Sequence, residues 1–206
     1  MKTNDLRSLV SATQARTRAR AADEEVRARA QNEGEVDVAL GTVASPIGEL
    51  LVAVTPRGLA CVAFEGEDRN ALLERFAKEL SPRVLRASRA TDLACRQLEE
   101  YFEGSRRRFQ LRLDRRLMTP FARQVLAATS RVGFGRLATY GQIAARIDRP
   151  TAARAVGAAL GSNPIPIVVP CHRVVGASGK LTGYAGGLDR KAFLLRLEGD
   201  PTLFRL

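Results

Sequence analysis

Ile165-Pro166-Ile167-Val168-Val169-Pro170-Cys171-His172-Arg173-Val174-Val175 is an apolar, β-branched run that ends on a thiol and an imidazole. Such a run buries itself and carries Cys171 to the edge of a core. Pro170 removes a backbone donor and fixes φ just before the thiol, so the chain cannot continue there as a central strand. His172 is the only histidine among 206 residues. A cysteine in an apolar wall beside an ionisable imidazole has the composition of an activated nucleophile. The competing reading is a buried structural cysteine, the commoner fate of a lone intracellular thiol.

Upstream of this stretch the pattern is helical. Thr119-Pro120 supplies an N-cap and a proline at the first helical position, which predicts a helix to about Thr129. Gly133 and Gly135 break the chain; Thr139 then caps a helix over 140–147, Asp148-Arg149-Pro150 turns it, and 151–161 forms another. Two short helices joined by so short a turn predict a helix-turn-helix. The second is crowded with small residues, among them Ala152, Ala153 and Gly157, which suits close approach to a groove as well as tight helix packing. Between Met118 and Val175 there are seven arginines (123, 131, 136, 146, 149, 154 and 173) and one acid, Asp148. A basic excess on the segment that bears the thiol is where a phosphate backbone would lie.

The N-terminal half reads differently. Residues 1–36 are rich in Ala, Arg and Glu, carry seven basic and six acidic residues, and form a partly helical or disordered arm. From Val38 three short β-type runs, over 38–43, 49–55 and 59–64, are separated by Ser45-Pro46-Ile47-Gly48 and Pro56-Arg57-Gly58. Those turn signals predict an antiparallel meander. Helices follow over 69–79 and 90–102, and 109–113 is expected to return to the sheet as a strand. Cys61 and Cys95 fall on apolar faces and read as core residues. The fold class is therefore α+β, with an arm over 1–36, a sheet-bearing domain over 37–115 and a mostly helical domain over 116–206.

Several further motifs stand in order around the thiol: Thr139-Tyr140-Gly141-Gln142, Ala152-Ala153-Arg154-Ala155-Val156-Gly157, Ser162-Asn163-Pro164, Gly183-Tyr184-Ala185-Gly186-Gly187 and Leu197-Glu198-Gly199. Together with Pro170-Cys171-His172-Arg173-Val174 they resemble the O6-alkylguanine-DNA alkyltransferases, over residues 42–199. The resemblance implies a small ribonuclease H-like α/β domain followed by a winged helix-turn-helix-like domain that binds DNA. It implies single-turnover transfer of an alkyl group from O6-alkylguanine, with O4-alkylthymine as a second candidate substrate, to Cys171. It assigns His172 and Glu198 to a relay through a bridging water, and Asn163 to the hinge between the recognition helix and the active-site strand. Arg154 falls at the position of the finger that fills the stack vacated by a flipped nucleotide, and Tyr140 at that of the tyrosine which helps rotate it. Ala153, Gly157 and Arg173 are expected at the DNA, and Val174, Tyr184 and Ala185 around the base. Ala185 stands where some relatives carry a serine, leaving only its backbone N–H to serve the guanine oxygen.

Composition sets the outer limits. A net charge of +11 favours a polyanionic partner, here double-stranded DNA. No apolar run approaches the ~20 residues of a membrane span, and the N-terminus lacks the apolar core of a secretory signal. Three widely spaced cysteines fit a reducing compartment, placing the protein in the cytoplasm. Structural zinc wants four Cys or His ligands with a close pair, so no metal and no cofactor is expected. No zipper or other dimer interface is evident, so the chain is expected to act as a monomer. A Cys–His hydrolase would leave the helix-turn-helix and the basic excess unexplained. A lesion sensor of the same lineage would carry another residue in place of Cys171.

Overall fold

The computed structural model describes residues 36–199, so the reading of the arm over 1–35 lies outside the described residues. Strands β1 (Val38–Val43), β2 (Leu50–Thr55) and β3 (Gly58–Ala63) pair antiparallel in chain order, as their turn signals predict. Gly58 makes the second turn possible: its φ is +129°, and a Cβ there would fall 2.2 Å from the Arg112 carbonyl oxygen. A fourth strand, β4 (Val84–Arg86), joins β1 in parallel, giving the order β3-β2-β1-β4. Sequence reasoning missed it because three residues are too few for an alternating pattern to register. Its approach is tied down by Asp37, which accepts from Ser81 Oγ at 2.6 Å and from Arg83 Nε at 3.0 Å.

Helix α1 (Arg69–Glu79) starts on Asp68, whose side chain accepts from the Asn70 and Ala71 N–H groups. Helix α2 (Ser88–Phe102) lays Thr91, Ala94, Leu98 and Tyr101 inward at helical spacing. The expected strand over 109–113 does not form. That segment makes one isolated parallel bridge, Leu113 to Leu59.

In the second half, α3 (Pro120–Thr129) is capped by the Thr119 side chain. Helix α4 (Tyr140–Arg146) begins with a capping box: Thr139 Oγ1 accepts from the Gln142 N–H at 3.1 Å, and Gln142 Oε1 accepts from the Thr139 N–H at 2.8 Å. Helix α5 (Ala153–Gly161) starts two residues later than predicted, because the turn through Asp148, at φ +58°, extends as far as Ala152. Helix α6 (Leu188–Leu197) closes the described chain. A two-residue parallel pair, β5 (Ala138–Thr139) with β6 (Val174–Val175), joins the start of the helix-turn-helix to the residues just after the thiol. Among the described residues no helix is long and apolar enough to cross a membrane. One hydrophobic cluster runs through both halves, from Val52, Leu98 and Tyr101 to Val125, Ile143, Val156, Ile165, Val169 and Leu194.

Candidate active site

The run before the thiol is not the active-site strand expected of it. It folds into consecutive tight turns. The Val168 N–H donates to the Pro166 carbonyl at 2.9 Å around Ile167, whose φ is +72°. The Cys171 N–H donates to the Val169 carbonyl at 2.8 Å around Pro170, at φ −80° and ψ 63°. The second is the relaxed three-residue turn; the first forces a β-branched residue into left-handed backbone, which costs on the order of 1–3 kcal/mol. Ile165 and Ile167 are fully buried, and that burial holds the strained turn in place.

Asn163 pins the same segment. Its Oδ1 accepts from the Ile165 N–H at 3.0 Å, and its Nδ2 donates to the Val169 carbonyl at 3.0 Å and to Cys171 Sγ at 3.1 Å. A side-chain amide with both ends engaged is a rigid hinge. The Cys171 thiol is nearly buried, and burial pushes its pKa up to about 11 despite the donor from Asn163. A thiol so perturbed is mostly protonated at neutral pH, and a nucleophilic role for it would require a base.

Cys171–Arg173 form a single 3-10 turn at the end of which β6 begins, and His172 within it is completely buried. His172 Nε2 lies 2.9 Å from Glu198 Oε1. Burial lowers the imidazole's pKa against the opposing pull of Glu198, so the ring is neutral in ordinary conditions. Paired with a carboxylate, neutral His172 carries its proton on Nε2 and presents a lone pair at Nδ1. Nδ1 is buried and has no hydrogen-bond partner in the protein.

Glu198 is the hub of the site. Burial alone would raise its pKa, yet hydrogen bonds from His172 and Arg173 hold it at about 2. Arg173 grips both carboxylate oxygens, Nε to Oε2 and Nη2 to Oε1, each at 2.8 Å. It also donates from Nη1 to the Val132 carbonyl at 2.6 Å and lies 5.8 Å from the centre of the Phe134 ring. Arg173 is therefore not the DNA contact that the sequence suggested. The other six arginines counted with it are exposed, whereas Arg173 is 6% exposed and spends its charge on an internal carboxylate.

Two residues that sequence reasoning overlooked complete the surroundings. The Tyr101 hydroxyl donates to Glu198 Oε1 at 2.8 Å, from 97 residues away. Lys191 is fully buried and donates from Nζ to the Val174 and Thr182 carbonyls at 2.6 and 2.7 Å; burial lowers its pKa to about 8. A charged residue on the apolar side of α6, one turn before Leu194 and Leu195, was the available signal for Lys191. Tyr101 gave none beyond its place on the apolar face of α2.

The remaining predicted residues differ in burial and in partners. Val174 is buried, its carbonyl taken by Lys191. The Tyr184 ring stands edge-on to Phe64, 5.7 Å away, with its hydroxyl buried and unpartnered. Ala185 is exposed in the loop that follows. Tyr140 Oη receives a hydrogen bond from Thr182 Oγ1 at 3.3 Å, and its ring packs beside Gly157 across the two helices. Ala153 is half-buried at the start of α5, while Arg154 extends from it into solvent, apart from the thiol's own hydrogen bonds. A cleft of about 500 Å³ lined by Arg131, Arg146 and Arg149 adds to this basic surface. A larger one, about 900 Å³, lies between β1 and α2 around Cys95 and does not include Cys171; here buried polar groups, not volume, mark the site.

Comparison with known proteins agrees with this architecture. The ribonuclease-like domain of 6-O-methylguanine DNA methyltransferase matches residues 38–115, and the DNA binding domain of the same family matches 120–200. A methylated-DNA–protein-cysteine methyltransferase of Methanosarcina acetivorans is 44% identical over 163 residues, 76% of this chain and 95% of that protein. One from Mycolicibacterium paratuberculosis is 45% identical over 157 residues, covering 76% and 90%. Among solved structures, Mycobacterium tuberculosis OGT in complex with DNA superposes with a TM-score of 0.68 at 41% identity, over 78% of this chain and 92% of that one. The O6-methylguanine-DNA methyltransferase of Pyrococcus kodakaraensis gives a TM-score of 0.55 at 27% identity, over 79% and 99%. The chain belongs to the methylated-DNA–protein-cysteine methyltransferase family.

Proposed function

We propose that this protein reverses alkylation damage in DNA directly, moving the alkyl group of O6-alkylguanine in a duplex onto Cys171 Sγ, once per molecule. The observation that carries this reading is a buried thiol on an asparagine hinge beside a neutral imidazole. Nε2 of that imidazole is held by Glu198, and Nδ1 is free of protein partners. Nδ1 is the acceptor for a water that relays the thiol proton, giving a Cys, water, His and Glu chain with the logic of a triad. The thiolate then attacks the alkyl carbon in line. The S–C bond forms as the C–O6 bond breaks, the bonding pair stays on the guanine oxygen, and a proton taken up by the base restores guanine. The product is a thioether, which offers water no carbonyl to attack, so the thiol is not regenerated.

The target oxygen is out of reach inside the stack, so the nucleotide must be flipped. Arg154, exposed on the recognition helix, fills the gap it leaves, and Tyr140 helps turn the backbone. Ala153 and Gly157 let α5 lie close to the groove. The exposed arginines at 123, 131, 136, 146 and 149 supply phosphate contacts without reading sequence. Tyr184 and the Ala185 N–H face the base, beside the Val174 backbone. Residues 37–115 are the scaffold, 116–206 bind DNA and carry the chemistry, and the protein works as a cytoplasmic monomer without metal or cofactor.

The test is mass spectrometry of the full chain mixed with excess duplex containing O6-methylguanine. One methyl group on Cys171, saturating at one per protein, is the expected result, with Cys171→Ala inert in transfer but still able to bind DNA. Repair that continues beyond one equivalent, or a methyl group on another residue, would overturn the reading.

A further inference from the structure

We propose that Tyr101, supplied by helix α2 of the N-terminal half, is a positioning residue of the transfer reaction, its hydroxyl sharing Glu198 Oε1 with His172 Nε2. The inference rests on the relay just described and extends it into the half of the chain otherwise assigned to scaffolding.

The geometry leaves the hydroxyl little choice. Tyr101 is 1% exposed, and its ring is wedged among Phe102, Phe109 and Phe134 at centroid distances of 5.3, 5.5 and 6.4 Å. A buried phenol needs an acceptor, and the one it meets, at 2.8 Å, is the carboxylate oxygen that also faces His172. Burial and the adjacent Glu198 raise the phenol's own pKa well above its ordinary value, so it remains a neutral donor throughout the working range.

Oε1 therefore receives three donors, from Tyr101, His172 and Arg173, and each withdraws some negative charge from the other two. Taking away the hydroxyl leaves more of that charge on the oxygen facing the imidazole and favours the imidazolium. The other charged or titratable groups bearing on His172 are Arg173 within the same turn and Lys191 from α6, with Cys171 adjacent in sequence. Tyr184, electrostatically coupled to both Cys171 and Glu198, lies next to them. None of these changes in Tyr101→Phe, which keeps the ring and its packing and leaves Oε1 with two donors.

Because His172 is the only histidine, its ring resonances can be followed by NMR in the full chain without further assignment. The titration midpoint of His172 is expected at higher pH in Tyr101→Phe than in the wild type. In single-turnover transfer from an O6-methylguanine duplex, the variant should be slower by about three- to tenfold on the acid side of the profile and within about twofold on its plateau. An unchanged His172 midpoint, or a uniform rate loss at every pH, would reduce Tyr101 to a packing role and overturn the proposal. In the wild type, a nuclear Overhauser contact between the Tyr101 hydroxyl proton and the His172 Nε2 proton is expected, and its absence counts against the shared oxygen without any substitution. If the wild type accepts no methyl group while the midpoint still moves, the proposed repair reaction fails and the coupling of Tyr101 to His172 stands.

Discussion

Replacing Arg173 by methionine separates two roles for this residue, a strut inside the protein or a phosphate contact on its surface. Methionine keeps much of the length but removes both bonds to Glu198, the one to the Val132 carbonyl and the cation beside the Phe134 ring. The fall in the Glu198 pKa from 4.5 to about 2 corresponds to about 3 kcal/mol of native-state stabilisation, shared by Arg173 and His172. Removing one partner of a buried ion pair costs about 3–5 kcal/mol on other grounds, so the two routes agree in scale. In a chain of this size about 3 kcal/mol lowers Tm by about 6–12 °C. The penalty depends on pH. Glu198 has a folded pKa below its unfolded value, so its contribution is complete above about pH 4.5 and is lost as pH falls toward 2. The Tm gap between wild type and Arg173→Met should therefore be widest near neutrality and narrow in acid. Thermal melts from neutral pH into acid, together with the salt dependence of binding to undamaged duplex, make the assay. A lost phosphate contact would flatten the log–log salt slope by about 1 and leave Tm almost unmoved. That outcome would refute the burial of Arg173 and the argument built on it.

Other substitutions probe the hinge and the DNA-facing helix. Asn163→Ala removes the donor to Cys171 Sγ and frees the Val169 carbonyl and Ile165 N–H; a loss of about 1–3 kcal/mol in urea unfolding and a transfer rate down at least about tenfold are expected. Because that donor holds the thiol pKa down, the pH profile of the surviving activity should shift upward as well. Arg154→Ala should leave stability within about 0.5 kcal/mol, since the side chain is exposed, while slowing repair in duplex more than reaction with the free modified base. Equal losses on the two substrates would remove Arg154 from the flipping step.

Much of the fold was legible because its signals are local. The β1–β3 meander follows from short β-type runs punctuated by Ser45-Pro46 and Pro56-Arg57-Gly58, and α4 from a capping box that spans four residues. Cys171 and His172 stood out by their neighbours, Asn163 and Glu198 by the family resemblance, and the structure brings them together. What stayed hidden was either too short or too distant. Strands β4, β5 and β6 hold three, two and two residues, lengths at which pairing is set by what lies alongside and not by their own pattern. The segment over 109–113 has the alternation of a strand, yet the sheet accepts only Leu113.

The sequence by itself determined which chemistry was on offer: a thiol, a single imidazole and a basic helical segment announced by residue type within a few positions, and a carboxylate, Glu198, marked by the resemblance. Only the tertiary structure decided how their charges are spent. Arg173 looks like any other arginine of its segment until burial puts it against Glu198, and Tyr101 looks like a core aromatic until α2 brings its hydroxyl to that carboxylate. Periodicity and capping act along the chain over one or two turns. Burial of charge is settled by whichever partner packing brings across it, and here the partners of Glu198 come from residues 25 to 97 positions away.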